Sequence, residues 1–318
     1  MKFEKRVTIY SFVLTVFVIW LHAGESLVSS IPGQIAVPGF FIMSGYLFFR
    51  NIDVQKDPVS VTAEKIRRRG KTLLLPYLLW NAIYFVIYLL AGKAEISEAF
   101  GAVFLYRCNP VFWYLYQLIL VTLLTPALFF VLRKKGTGIL FLSVIFFLAT
   151  VCGRLPFHYC NEDALFYYSF GAFAAVFGKE TAEKTEGAGK TAEVFFMIFL
   201  FFTAAERFVP VSVRNAGTVG WRAAGAAGLW FLFAALLKEE MPLPKPWMEH
   251  GFFIYATHYM VIRAVWGLLS VLCPDTSAAV NIAVYLAMPA VCTLAAAVLT
   301  HLMKKVAPGF LSVLTGGR

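Results

Sequence analysis

The chain has 318 residues, of which 60% are hydrophobic and 14% charged, and its formal net charge is +10. So much apolar surface with so little polar cover excludes an ordinary soluble globular protein and indicates a protein that crosses a membrane. The positive charge is not a reason to expect nucleic acid as a partner, because most Lys and Arg residues lie between the apolar runs, where they orient membrane helices.

Ten apolar runs follow one another along the chain. At about 1.5 Å per residue, most could cross most of a ~30 Å hydrocarbon core as helices. They cover residues 7–21, 26–49, 72–91, 108–132, 136–153, 164–178, 194–205, 223–237, 251–272 and 278–302. Three of them (164–178, 194–205 and 223–237) are short and are expected to borrow flanking residues, with eight or nine spans as the alternative. The sequence predicts an all-α polytopic membrane helical bundle of about ten transmembrane helices, forming one domain over residues 1–318.

The distribution of basic residues predicts the orientation of this bundle. If the N-terminus is cytoplasmic, most of the 28 Lys and Arg residues fall in cytoplasmic segments, as the positive-inside rule requires. Both termini are therefore expected in the cytoplasm of a multi-pass protein, most simply in a bacterial plasma membrane. No small-x-small cleavage pattern follows the first run, which is interpreted as a retained span.

Ionisable groups at the end of the first run and inside the ninth are costly within a membrane and are therefore functional candidates. His22 directly follows the first run, and the ninth holds His258 about two turns from its start and Arg263 five residues later. A neutral imidazole suits a general base near neutral pH. Glu25 would share the helical face of His22 if that helix continued past it. Arg263 needs a partner or a wet cavity, and it and His258 are candidates to line the substrate site.

Two polar or aromatic groups have both a structural and a functional interpretation. The basic stretch 50–71 between the second and third runs is interpreted as a loop. Arg67, Arg68 and Arg69 near its end either only orient the chain or clamp the phosphates of an anionic cytosolic ligand. Trp113 and Tyr114, at the predicted outer end of the fourth run, either form an aromatic belt or stack on a sugar.

Small residues in the second run, Gly39, Ser44 and Gly45, either let helices approach closely or line a substrate path.

Metal and disulfide sites have little support in the sequence. The five His residues are scattered, and neither HExxH nor CxxC occurs, so no metal is expected. Cys108, Cys152, Cys160 and Cys273 fall near the predicted outer face, where a disulfide could form, although buried apolar thiols are the alternative.

Six short motifs in order resemble the acyltransferase-3 family of integral membrane enzymes. They are VFVIWLH, FFIMSGYLFF, KIRRRGKTLLLPYLLW, VFWYLYQLILVTLLTPAL, FYYSFGAFAAVFGK and FFIYATHYMV. The resemblance implies transfer of an acyl group, commonly acetyl from acetyl-CoA, to a hydroxyl of an extracytoplasmic or lipid-linked carbohydrate. His22 matches the family's catalytic histidine, and Arg67–Arg69 matches the stretch thought to meet CoA. Membrane lipids and the glycan acceptor are the expected partners.

One position departs from the family pattern. Many members have an arginine eleven residues before the catalytic histidine, where this chain has Ser11. The resemblance implies that Arg6 or Arg263 performs that role, if any residue does. Two alternatives therefore stay open beside the enzyme: a carrier or flippase for a lipid-linked sugar or other anionic substrate, and a membrane protein without catalysis.

Overall fold

The structure is a computed structural model that describes residues 2–24, 27–152, 161–205, 208, 211–237 and 246–317. These residues form helices and connecting turns, with no β-strand among them. The α-helices in chain order are α1 Lys2–Ala23, α2 Leu27–Phe49, α3 Pro58–Arg69, α4 Leu75–Leu90, α5 Ala99–Phe104, α6 Trp113–Leu123, α7 Thr125–Val131, α8 Lys135–Phe147, α9 Glu162–Phe177, α10 Lys179–Glu183, α11 Ala188–Ala205, α12 Val211–Leu236, α13 Pro246–Glu249, α14 Gly251–Leu272, α15 Ala278–Val306 and α16 Pro308–Leu314.

Six helical stretches in the described residues are long and apolar enough to span a membrane. They are Phe3–Ala23, Pro58–Leu90, Ala188–Ala205, Thr218–Leu236, Gly251–Leu272 and Ala278–Val306. A seventh is present if α6 and α7, which are bent by 55° relative to one another, count as one span. The predicted all-helical, multi-pass architecture is confirmed, while the count of ten spans stays a prediction.

Several predicted boundaries differ from those in the structure. The basic stretch 50–71, interpreted as a loop, is mostly helix α3, and a five-residue π-helical turn, Gly70–Leu74, joins it to α4. Charge density suggested a loop, but no glycine or proline interrupts the chain between Pro58 and Gly70. The run 108–132, expected as one helix, breaks at Leu124, because Pro126 follows and a proline lacks the N–H that a continuous helix needs. Helices α11 and α12 borrow flanking residues as predicted.

The described contacts divide the chain into two compact units. The first unit comprises Met1–Tyr10, Ile35–Arg67 and Gln117–Leu243, and the second comprises Ser11–Gln34, Arg68–Tyr116 and Pro244–Arg318. Because the units interleave along the sequence, neither is a contiguous segment. The expectation of one domain over the whole chain stays a prediction.

Close helix packing organises the first unit. A Cβ atom built on Gly45 of α2 would collide with the carbonyl oxygen of Tyr168 on α9, and one built on Gly171 would collide with that of Ile42. Only glycine permits such an approach, so Gly45 serves helix packing, one of its two predicted roles. Helices α11 and α12 pack through a small cluster that includes Ala192 and Phe231.

Tyrosine and tryptophan side chains organise the second unit by bonding to backbone carbonyls of other helices. Tyr84 of α4 donates to the carbonyl oxygen of Ala256 on α14 over 3.0 Å, and Trp80 donates to that of Leu314 on α16 over 3.1 Å. These bonds satisfy the polar ends of large, otherwise apolar side chains. They fix α14 and α16 against α4.

Candidate active site

Two histidines from distant parts of the chain lie together in the second unit. His22 is on the last turn of α1, and His258 is on α14. Their ring centroids are 5.5 Å apart, and the ring of Tyr259 lies edge-on to His22 at 6.3 Å. The structure thus brings the predicted catalytic histidine beside a predicted substrate-binding residue.

Helices α13 and α14 contact the second half of α1. Phe12 packs edge-on against Trp247, just before α14, with ring centroids 4.9 Å apart. At the other end, the indole nitrogen of Trp266 donates a hydrogen bond to the carbonyl oxygen of Ala23 over 2.8 Å. Since the contacts advance along both helices in the same direction, α1 and α14 run parallel.

His258 is fully buried, with 0% of its surface exposed. Its Nδ1 lies 2.5 Å from the carbonyl oxygen of Tyr255, and because a carbonyl can only accept, Nδ1 carries the hydrogen. In the neutral ring, Nε2 is then an acceptor, and it has no hydrogen-bond partner among the described residues. Leaving a buried polar atom without a hydrogen-bond partner costs free energy. This cost makes Nε2 a candidate to accept a hydrogen bond that forms only transiently.

Aromatic rings support the turn that carries His258. Tyr255 stacks on Phe112 with centroids 5.8 Å apart, and Tyr114 meets the Tyr255 ring edge-on at 5.9 Å. The Tyr255 hydroxyl donates to the carbonyl oxygen of Val111. Tyr114 is therefore part of the packing around Tyr255, one turn from His258, while Trp113 beside it is only half-buried.

His22 differs from His258 in its accessibility. Its side chain is half-buried and makes no hydrogen bond with the residues that the structure describes. Both ring nitrogens can therefore meet a substrate. Glu25, expected on the same helical face, lies outside the described residues.

Arg263 is not part of the histidine pair. It is exposed on α14, five residues from His258, which places the two side chains about 140° apart around the helix. Arg263 was predicted as a site residue because it lies near the middle of the ninth apolar run. The periodicity of the helix places its side chain away from that of His258.

The three arginines before the third run have different surroundings. Arg67 forms two hydrogen bonds of 3.0 Å to Glu64, one turn back on α3. Arg68 is exposed and Arg69 half-buried, and neither has an ion-pair partner in the described part of the chain. Two guanidinium groups are thus available for an anionic ligand, which fits a donor that carries phosphates.

Arg6, one of the two residues expected to replace the family arginine, forms its contacts with α10 and Trp230. It is 2% exposed and donates to the carbonyl oxygens of Ala182, over 3.1 Å, and Glu183, over 3.0 Å. It also lies over the ring of Trp230, 5.0 Å from the centroid. These contacts bind Arg6 to the end of α10.

The described residues include three free thiols and no cluster of potential metal ligands. Cys108, Cys273 and Cys292 are free thiols, whereas the side chains of Cys152 and Cys160 lie outside the described residues. Within the described ranges, no group of three or more His, Cys, Asp or Glu residues could hold a metal.

Sequence reasoning missed two residues that position the histidines. Tyr255 lies three residues before His258, a spacing that places both on one helical face and could have revealed it. Trp266 bonds to Ala23 across the chain, and nothing in the local sequence signals that contact.

Comparison with known proteins identifies relatives over nearly the whole chain. The profile named Acyl_transf_3, described as an acyltransferase domain, matches residues 10–311. The chain is 24% identical over 329 residues to the succinoglycan biosynthesis protein ExoH of Rhizobium meliloti (strain 1021), an alignment that covers 94% of this chain and 82% of that protein. No solved structure matches the chain significantly.

Proposed function

This chain belongs to the acyltransferase-3 family of multi-pass membrane enzymes, and we propose that it moves an acyl group, most simply acetyl, from cytosolic acyl-CoA to a hydroxyl of an extracytoplasmic or lipid-linked carbohydrate. The observation that carries the chemistry is the pairing of His22 with His258. The relative's name refers to the biosynthesis of a glycan, which supports a carbohydrate acceptor.

His22 is the proposed general base. Its neutral imidazole takes the proton of the acceptor hydroxyl while the hydroxyl oxygen attacks the thioester carbonyl carbon. The new ester bond forms as the carbon–sulfur bond breaks, and the proton passes from His22 to the leaving thiolate. The half-buried position of His22 supports this role, since its nitrogens are accessible and unbonded to described residues.

In this proposal, His258 interacts with the His22 ring and does not contact the substrate. Because His258 is fully buried, direct contact with a substrate is less favourable than contact with His22. Its Nε2 lone pair can accept a hydrogen bond from His22 once that ring is protonated, which stabilises the imidazolium formed during transfer. His258 is therefore a positioning residue in this proposal.

In this proposal, the acyl-CoA donor and the carbohydrate acceptor bind to different residues. Arg68 and Arg69 bind the donor phosphates, because both guanidinium groups lack a carboxylate partner in the described ranges, and Arg67 contributes less since Glu64 already pairs with it. Trp113 stacks on the acceptor, while Tyr114 acts through Tyr255. A contact of Arg263 with the acceptor stays a prediction.

Helix directions within each unit support the proposed topology of ten spans with both termini cytoplasmic. In the first unit α1 runs antiparallel to α12, since Tyr10 bonds to Ala226 while Phe3 meets Trp230. In the second unit α1 runs parallel to α14. Both relations agree with alternating crossings in which α12 is the eighth span and α14 the ninth. Reporter fusions after residues 92 and 237 test this, with external and cytoplasmic signals expected respectively.

Labelled acetyl-CoA supplied to inverted membrane vesicles tests the proposed function. We expect label in a glycan with the natural chain and a fall of about 10²- to 10⁴-fold with His22→Ala, the usual contribution of a general base. His301→Ala, an exposed histidine on α15, is the matched control and should keep full activity. Movement of a glycan without labelling would instead support a carrier, and unchanged labelling by His22→Ala would contradict the proposed base.

A further inference from the structure

The first unit contains a partly open cavity that the proposed reaction does not use. Its volume is about 340 Å³, and helices α1, α2, α8, α9, α10, α11 and α12 contribute to its walls. Phe173, Phe177, Phe195 and Trp230 supply much of the lining. An apolar cavity of roughly 150 Å³ already stays dry and can take an apolar guest, so a space of this size suits an apolar ligand.

The polar atoms of the aromatic walls are directed to protein partners. The Tyr10 hydroxyl donates to the carbonyl oxygen of Ala226 over 2.9 Å, and the Trp230 indole nitrogen donates to that of Ala182 over 2.9 Å. The Tyr46 hydroxyl donates to Glu183 over 2.8 Å. These residues therefore offer the cavity only ring surface, without a free hydrogen-bonding group.

The cations around the cavity are mostly paired. Arg6 donates to two carbonyl oxygens at the end of α10, and Arg50 pairs with Glu183 over 2.7 Å. Lys135, at the start of α8, also lines the cavity and has no ion-pair partner among the described residues. One uncommitted positive charge thus borders an otherwise apolar space.

We infer that this cavity binds a hydrocarbon chain whose anionic head group, a carboxylate or a phosphate, meets Lys135. The apolar aromatic lining matches the hydrocarbon chain, and Lys135, which has no ion-pair partner among the described residues, matches one head group. A CoA moiety fits less well, because its several phosphates would need the arginines that are already paired. This site is independent of the histidine pair and goes beyond the proposed reaction.

Photocrosslinking of the full-length protein in lipid nanodiscs tests this site. The probes are palmitic acid and phosphatidylglycerol, each with a diazirine on the acyl chain, and adducts are mapped by mass spectrometry. We expect adducts on peptides that contain Phe173, Phe195 or Trp230. Labelling by the phosphatidylglycerol probe would identify a bilayer lipid as the source, and labelling by the fatty acid alone would identify a free single chain.

Two pairs of variants make the test specific. Ala174→Phe places a ring in the cavity wall and should reduce these adducts at least fivefold, whereas Ala287→Phe, on an exposed position of α15, should not. Lys135→Glu should reduce labelling by the anionic probe severalfold but leave labelling by the neutral methyl ester of the fatty acid intact. Lys134→Glu, the neighbouring exposed lysine that does not line the cavity, is its control.

The outcomes separate this site from the proposed reaction. Equal labelling of the natural chain, Ala174→Phe and Lys135→Glu would overturn the inference, as would adducts confined to peptides outside the cavity. Because Lys135 is exposed, its substitution keeps the test decisive if Ala174→Phe does not fold. If the His22→Ala variant is still labelled in the cavity, this result supports a binding site for a hydrocarbon chain, whether or not the variant is catalytically active.

Discussion

Trp266 donates a hydrogen bond to the carbonyl oxygen of Ala23, the residue next to His22. The bond ties the end of α1 to α14 and so helps to set the position of the proposed base. Trp266→Phe keeps an aromatic ring but removes the donor, at a cost of about 1 kcal/mol for a typical hydrogen bond. If that cost falls fully on the transition state, kcat/KM for acyl transfer should fall about fivefold, with the protein still folded.

Trp247→Phe is the matched control for that variant. Trp247 packs against Phe12 beside the same two helices but forms no hydrogen bond with a described residue. Its substitution should leave kcat/KM within about twofold of the natural value. Equal losses in both variants would contradict the positioning role of the Trp266 hydrogen bond.

The arginine cluster predicts a difference between neighbouring residues. Arg68→Gln removes a guanidinium without an ion-pair partner in the described ranges, so the KM for acyl-CoA should rise about tenfold with little change in kcat. Arg67→Gln removes a group that already pairs with Glu64 at an exposed position, where ion pairs contribute little. Steady-state kinetics with varied acyl-CoA measure both. A larger KM effect for Arg67 would contradict the proposed assignment.

Apolar runs and basic residues were sufficient to predict much of the architecture. They identified the helices that carry His22 and His258, because long uncharged runs leave few alternatives to a membrane helix. They did not predict the bend in α6 and α7 as such, although Pro126 was a visible signal. They also treated the stretch around Arg67 as a loop, because charge density was given more weight than the lack of helix breakers.

The candidate site was predictable residue by residue but not as an arrangement. His22 and His258 were each identified as unusual ionisable groups, yet their pairing depends on tertiary packing between helices at opposite ends of the chain. Arg263 was chosen for its depth, and the structure places it on an exposed face of α14. The burial of His258, on which its proposed positioning role depends, cannot be predicted from sequence spacing alone.

The glycines between α2 and α9 predict a large effect on stability. Gly171→Ala would force a methyl group into the carbonyl oxygen of Ile42, so the two helices must separate. Overpacking of this kind typically costs about 1–3 kcal/mol, and we expect a clear fall in Tm in detergent. Gly136→Ala is the control: no atom lies within 4 Å of its added Cβ, and the higher helix propensity of alanine should leave Tm unchanged or slightly raised. Similar losses in both variants would contradict the packing argument.

The ion pair at the end of α10 predicts how stability depends on pH. Burial alone would raise the pKa of Glu183, but hydrogen bonds from Arg50, over 2.7 Å, and Tyr46, over 2.8 Å, outweigh it and hold that pKa below its ordinary value. The bond to Glu183 correspondingly raises the pKa of Arg50. The folded protein therefore binds fewer protons at Glu183 than the unfolded chain does.

The stabilisation from Glu183 is consequently complete above the unfolded-state pKa of about 4.3 and is lost as the pH falls through the lower folded-state pKa. Glu183→Gln should lower Tm at pH 7, and the difference from the natural chain should shrink on acidification toward pH 3.5. Glu186→Gln, at a carboxylate 3.8 Å from Lys184 and 89% exposed, should change Tm little at any pH. Thermal unfolding at several pH values measures these differences, and a Glu183→Gln effect that stays constant with pH would show that the carboxylate charge does not stabilise this end of the first unit.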